Sequence, residues 1–257
     1  MTKNQLGIVA NFVISNSTLA GNQIHAEILS SLRSNGIIVL SCPGIEIDEW
    51  TSAIASVLEP VATQIKIFTR QSLWRTIGVN LEKEVDRSEG TGESPLHMDF
   101  VNAEKPPDYV VLLCLRDDPL GGGASTLSSV AEAASDLSIA ERRILEQSIF
   151  IDGKIIDLDN IGADINPFAV LSPDSPYAYR YTSQLLKQQL PLDVNAALRR
   201  LQTELERRKL TFRLSPGQAL IIDQHRYVHG KLPLGDRQLT IPPDSRRMLL
   251  HGFFRTR

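Results

Sequence analysis

The sequence predicts a mainly β fold, a β-sandwich or jelly roll carrying peripheral helices. Three observations predict it. Short apolar runs bounded by Gly and Pro recur along most of the chain. Helical periodicity is confined to insertions near 20–58, 128–147 and 193–209, with strands on both sides of each. The length, 257 residues with 42% hydrophobic and 22% charged, suits one all-β domain spanning 1–257 with a full core.

The elements follow in order. Leu6–Ile14 reads as a first strand; Lys3 and the apolar run give it a faint likeness to a signal peptide, but Asn11 interrupts the run. Ile24, Ile28 and Leu32 recur at four-residue spacing, which predicts a helix over 20–35 that Gly36 stops. A buried strand over Ile37–Leu40 is followed by a helix over 47–58, with Trp50, Ile54 and Leu58 on one face and Pro60 beyond its end. Strands are predicted at Ile65–Thr69 and Thr76–Leu81. The polar stretch 82–94 reads as a mobile loop running straight to His97, a candidate lid or a plain solvated connection.

Tyr109–Leu115 is a near-continuous apolar run, so it is expected to be buried on both faces. Gly121, Gly122 and Gly123 lack the Lys-Ser/Thr of a phosphate loop and read as a tight connection into the next strand. A helix is predicted over 128–147, with a capping box at Ser138 and Glu141. The irregular stretch 152–183 is the longest candidate for a segment covering a substrate. A helix over 193–209 buries Val194, Leu198, Leu201 and Leu205. Leu210–Leu214 and Ala219–Asp223, joined by Pro216-Gly217, read as a hairpin, and Met248–Phe254 as the last strand.

Composition excludes several functions. The net charge of −3 calls for neither nucleic acid nor an anionic membrane surface, and no run is long enough to span a membrane. The two cysteines, Cys42 and Cys114, fit a reducing cytoplasm. Nothing in the sequence sets the oligomeric state.

The chemistry centres on Pro95-Leu96-His97-Met98-Asp99-Phe100. Apolar residues alternate with His97 and Asp99, so in a strand the imidazole and the carboxylate share a face. They make two-thirds of the two-His, one-carboxylate site that suits non-haem Fe(II). His25 lies on the first helix, which leaves His225, His229 and His251 as sources of the third ligand. His229 is best placed, where an apolar strand is expected to open into a loop at Gly230.

Five separated pieces stand out in order: His97-Met98-Asp99; Pro107-Asp108-Tyr109-Val110 through Cys114-Leu115-Arg116; Gly121–Gly123 through Thr126-Leu127; Asp223 through Lys231 around His229; and, near the C-terminus, Arg246-Arg247. Together they resemble the Fe(II)/2-oxoglutarate dioxygenases of the taurine dioxygenase and clavaminate synthase-like (TauD/TfdA) superfamily. The likeness covers roughly residues 95–255. It implies a double-stranded β-helix of cupin type and an iron triad of His97, Asp99 and His229. It also implies a 2-oxoglutarate contact at Thr126 and a carboxylate anchor at Arg247, eighteen residues after His229. Fe(II) with 2-oxoglutarate and O2 would oxidise a C–H bond of a small polar, amino-acid-derived metabolite, releasing succinate and CO2. Sulfonate or ether cleavage and a non-catalytic binding protein are the rivals.

Departures from the pattern narrow the substrate. Gln224 and Lys231 replace the usual asparagine and arginine. His251 stands where taurine-type enzymes carry a sulfonate-binding arginine, and Arg180-Tyr181-Thr182 lacks the aspartate of the guanidinium-binding branch. Arg70, Arg75 and His251 are the candidate substrate contacts.

Overall fold

The apolar runs pair into two sheets with helices on their outer faces. The computed structural model describes residues 10–14, 22–42, 44, 46–67, 72–152, 167–172, 174 and 179–257. The strands are β1 (Ala10–Val13), β2 (Ile37–Ser41), β3 (Ala62–Ile65), β4 (Trp74–Gly78), β5 (Ser94–His97), β6 (Tyr109–Arg116), β7 (Ser125–Ser129), β8 (Leu210–Phe212), β9 (Gln218–Asp223), β10 (Tyr227–Lys231) and β11 (Met248–Thr256). The helices are α1 (Asn22–Asn35), α2 (Ile47–Leu58), α3 (Val130–Ser135), α4 (Ile139–Leu145) and α5 (Leu192–Arg207). One sheet runs β1-β2-β9-β6-β11-β3, with β4 also on β11; the other runs β5-β10-β7-β8.

Three apolar clusters fix four layers. On β6, Val110, Leu112 and Cys114 face Leu127 and Tyr227 of the four-stranded sheet, with Leu249 and Phe253 beside them. Val111 and Leu113 face the other way, onto Ile28 and Leu32 of α1 and Trp50 and Ile54 of α2. This is the two-sided burial that the continuous run requires. On the far side, Leu198, Leu201 and Leu205 of α5 cover Leu96 and Val228 of the smaller sheet, together with α3 and α4. The predicted jelly roll with peripheral helices is therefore present.

Several element predictions are corrected. The 128–147 helix is two helices: Ser138 accepts from Glu141 N and Glu141 bonds back to Ser138 N, so the capping box starts a new helix. Leu210–Leu214 and Ala219–Asp223 do not form a hairpin. β8 pairs with β7, while β9 pairs with β2 and β6, so the turn at Gly217 carries the chain between sheets. The third strand lies at Ala62–Ile65, earlier than expected, and Thr69 lies outside the described residues. Gly230 is inside β10, not in a loop. A Cβ there would meet Ser94 O at 2.4 Å and Thr126 Oγ1 at 2.9 Å, so close strand approach is what demands glycine.

Candidate metal centre

His97 ends β5 and sits directly opposite His229 on β10, with ring centroids 4.6 Å apart. Asp99 is not on the strand. β5 stops at His97, Met98 N donates to Tyr181 O at 2.8 Å, and Phe100 is left-handed with φ 56. The expected strand alternation is thus replaced by a turn, one that still delivers the carboxylate to the imidazoles. Gln224 holds the turn: its Oε1 accepts from Asp99 N at 3.1 Å while its Nε2 donates to Pro107 O. Nothing in the sequence marked this role, because the contact spans more than a hundred residues.

Among the described residues, His97, Asp99 and His229 form one cluster whose ligand atoms lie within 4.8 Å of one another. His229 Nε2 is 3.2 Å from Asp99 Oδ2, and His97 Nε2 is 3.8 Å from Asp99 Oδ1. Donor atoms about 2.1 Å from a shared ion are separated by such edges. His97 Nδ1 lies 2.8 Å from Pro95 O. That contact places the proton on Nδ1 and leaves the Nε2 lone pair for a metal. Asp99 Oδ2 and His229 Nδ1 are buried without a well-aligned hydrogen bond. Burial, with His229 beside it, pushes His97 below the ordinary imidazole value and favours the neutral form a metal needs. Burial alone would raise Asp99, but the imidazoles of His251 and His229 hold it well below the usual carboxylate range. Two imidazoles and one carboxylate converging on one point are the donor set that suits Fe(II), so the residues fit the ion.

An inner space of about 70 Å³ runs between the sheets from this cluster to Arg247. Leu249, His251 and Phe253 alternate on the inner face of β11, and Arg247, just before the strand begins, lines the same space. Arg247 is 7% exposed, and no carboxylate of the described residues lies within ion-pair distance of it. Burial lowers its ordinary value. The nearby Asp118 is already occupied by the N–H groups of Leu120, Gly122 and Gly235 and by Gln238. A buried guanidinium in this state calls for an anion. Arg246 turns away and donates to Ile241 O at 3.0 Å.

The other candidates divide. The cavity does not receive Thr126. It pairs with Gly230, on the face of β7 that carries Ser128, whose hydroxyl donates to Leu205 O of α5. Ser125, paired with Lys231, lines the cavity instead. His251 is 5% exposed and faces Asp99, with Nε2 3.3 Å from Oδ2. Arg75 lines the wall and pairs with Glu89 at 2.9 Å. Arg70 lies outside the described residues. His225 is committed to Asp108 at 2.9 Å, away from the cluster.

A wider pocket of about 620 Å³ opens outside the triad. Arg75, Ser94, His97 and Asp99 belong to the walls of both spaces. The 82–94 stretch forms one side of the wider pocket, and Lys231 ties it down. Lys231 Nζ donates to Gly92 O at 2.5 Å and Gly90 O at 3.2 Å. Burial, with Arg247 nearby, pushes that lysine down to about 8.

The family described as taurine catabolism dioxygenase TauD, TfdA matches residues 3–149. The chain belongs to this family. The match includes His97 and Asp99; His229 and Arg247 lie beyond it and join them through the fold. The L-asparagine oxygenase of Streptomyces coelicolor is 27% identical over 149 residues, 58% of this chain and 45% of that protein. The chain thus aligns with less than half the length of this curated relative. A crystal structure of asparagine oxygenase with Fe(II), 2S,3S-3-hydroxyasparagine and succinate superposes with a TM-score of 0.73 at 19% identity, covering 95% of this chain and 92% of that one. The non-heme iron oxygenase OrfP with Fe and alpha-ketoglutaric acid gives 0.68 at 16%, covering 95% and 93%. These likenesses show a shared fold. No described helix is long and apolar enough to cross a membrane.

Proposed function

We propose that this chain is an Fe(II)- and 2-oxoglutarate-dependent oxygenase. It hydroxylates a C–H bond of a small amino-acid-derived substrate and releases succinate and CO2. The observation that carries this reading is a metal-ligand cluster and an uncompensated buried guanidinium lining one narrow space.

The residues divide the work. His97, Asp99 and His229 hold the ion and leave coordination positions open. Arg247 presents a planar fork to the far carboxylate of 2-oxoglutarate, with the Ser125 hydroxyl beside it in the wall. When bound, the iron supplies O2 activation coupled to decarboxylation of the keto acid. The protein orients the substrate in the wider pocket and keeps water from the inner space, which Leu112, Ile77 and Leu249 line.

Amino-acid chemistry is supported at the wider pocket, whose wall carries the paired Arg75 and Glu89, opposite charges suited to a zwitterion. The relatives' ligands, hydroxyasparagine and hydroxy-arginine, are of the same class. Two free buried cysteines support a reducing compartment such as the cytoplasm.

The test is anaerobic addition of Fe(II) and 2-oxoglutarate. A weak visible charge-transfer band is expected, and His97→Ala abolishes it. A screen for succinate release follows, over amino acids, their conjugates, taurine and aryloxy acids. Stimulation by taurine or aryloxy acids alone overturns hydroxylation in favour of catabolic cleavage. A band without succinate from any compound overturns turnover in favour of a binding protein.

A further inference from the structure

Asp99 is the least supported member of the triad. It lies beyond the end of β5, on a turn made by a left-handed Phe100, and Gln224 grips only its backbone N–H. No Lys, Arg or hydroxyl of the described residues bonds its carboxylate; the basic groups of the described residues within 4 Å are the imidazoles of His97, His229 and His251. His97 and His229 are the ligands. His251 is not: it stands outside the cluster whose donor atoms lie within 4.8 Å of one another. It also comes from the other sheet, on β11, in register with Leu112 and Arg75.

We infer that His251 is a positioning residue for the metal centre, its Nε2–H holding the Asp99 carboxylate in the rotation that turns an oxygen toward His97 and His229. Nε2 lies 3.3 Å from Oδ2, not yet aligned as a hydrogen bond, and neither ring nitrogen of His251 has any other hydrogen-bond partner. For an imidazole 5% exposed, Asp99 is the one carboxylate of the described residues within ion-pair distance. The ring plane is set by Phe253, whose centroid is 4.2 Å away. A carboxylate oxygen carries two lone pairs, so it can accept from His251 and still ligate. This assignment moves His251 from substrate recognition to the support of a ligand. It rests on the metal reading above.

Co(II) serves as the probe on the full chain, its affinity read by chelator competition and its coordination by the d–d spectrum. His251→Met keeps the bulk and removes the donor; His251→Gln keeps an N–H. Roughly 10- to 100-fold weaker Co(II) binding is expected for His251→Met, the usual effect of removing a supporting partner. Most of the affinity returns in His251→Gln. The d–d spectrum of saturated His251→Met keeps the parental ligand count. Parental affinity in His251→Met overturns the inference, and so does a spectrum that has lost a nitrogen ligand. Should the Met variant not fold, a Gln variant as weak as His97→Ala overturns it. A parent chain that binds no Co(II) removes the metal reading itself, which separates the two failures.

Discussion

Arg247 is held where it is by an absence. Gly123 has φ 69, and a Cβ on it would come within 2.9 Å of Arg247 Cδ and 2.6 Å of a Leu234 methyl. The triple glycine is therefore a seat for the guanidinium as well as a turn. Gly123→Ala is expected to cost about 1–2 kcal/mol in stability from its left-handed backbone alone and to raise the KM for 2-oxoglutarate. Arg247→Lys removes the bidentate fork and is expected to weaken 2-oxoglutarate binding roughly 10- to 100-fold. Titration of the charge-transfer band checks both. An unchanged 2-oxoglutarate affinity in Arg247→Lys would remove Arg247 from the anchoring role. At this scale the convergence of His97, Asp99 and His229 could be read from residues because histidine is rare and its neighbours are distinctive. Thr126 could not, since one residue of register exchanges the faces of a strand. The signal was present nonetheless: Leu127 is an inner-core residue, so Ser125, two positions away, shares its face.

At the scale of elements, the polar stretch before His97 reads as free and is not. Asn80 N donates to Glu89 O, Gly92 N to Val85 O and Leu234 N to Thr91 O, and Lys231 caps two of its carbonyls. The lysine is invisible as a fastener in sequence because its acceptors are glycine carbonyls, which carry no side-chain signature. Lys231→Met leaves both carbonyls without that donor, at a local cost of about 1–3 kcal/mol. Trypsin cleavage after Lys83 and Arg87 should then speed up by about tenfold or more while the global Tm changes little. Mass spectrometry of a timed digest reads the sites. A parental cleavage rate would mean that the other loop contacts suffice. The turn behind Arg247 makes a separate prediction. Burial would raise the Asp118 carboxyl, but four N–H donors, led by that of Gly235, hold it below the ordinary carboxylate value. A group with a depressed folded pKa stabilises above the unfolded value, about 3.9, and loses that contribution as pH falls through the folded one. The Tm gap between the parent and Asp118→Asn should be full at pH 6 and should close below about pH 4. A gap constant with pH would deny the carboxylate this role.

At the scale of the whole molecule, layer order follows from patterning, while sheet membership does not. The continuous run of β6 and the striped faces of α2 and α5 place each element on a surface or in a core. Which sheet β8 and β9 join depends on a two-residue turn and on long-range pairing, neither of which leaves a periodic trace. That division matters for the site, because His97 and His229 stand on the four-stranded sheet, while His251 stands on the seven-stranded one and Arg247 directly precedes its strand β11. A keto acid chelated at the triad and gripped by Arg247 would span the two layers. Its binding should therefore stabilise the fold and depend on the metal. With Co(II) and 2-oxoglutarate each near 100 times its Kd, each step adds about 2.7 kcal/mol, or roughly 5–10 °C in Tm for a chain of this size. Without metal, 2-oxoglutarate should shift Tm little. In Arg247→Met the metal increment should remain and the 2-oxoglutarate increment should vanish, because the inter-sheet grip is the part removed. Differential scanning fluorimetry over the four combinations reads this directly. Equal stabilisation by 2-oxoglutarate with and without metal would place its binding site somewhere other than between the triad and Arg247.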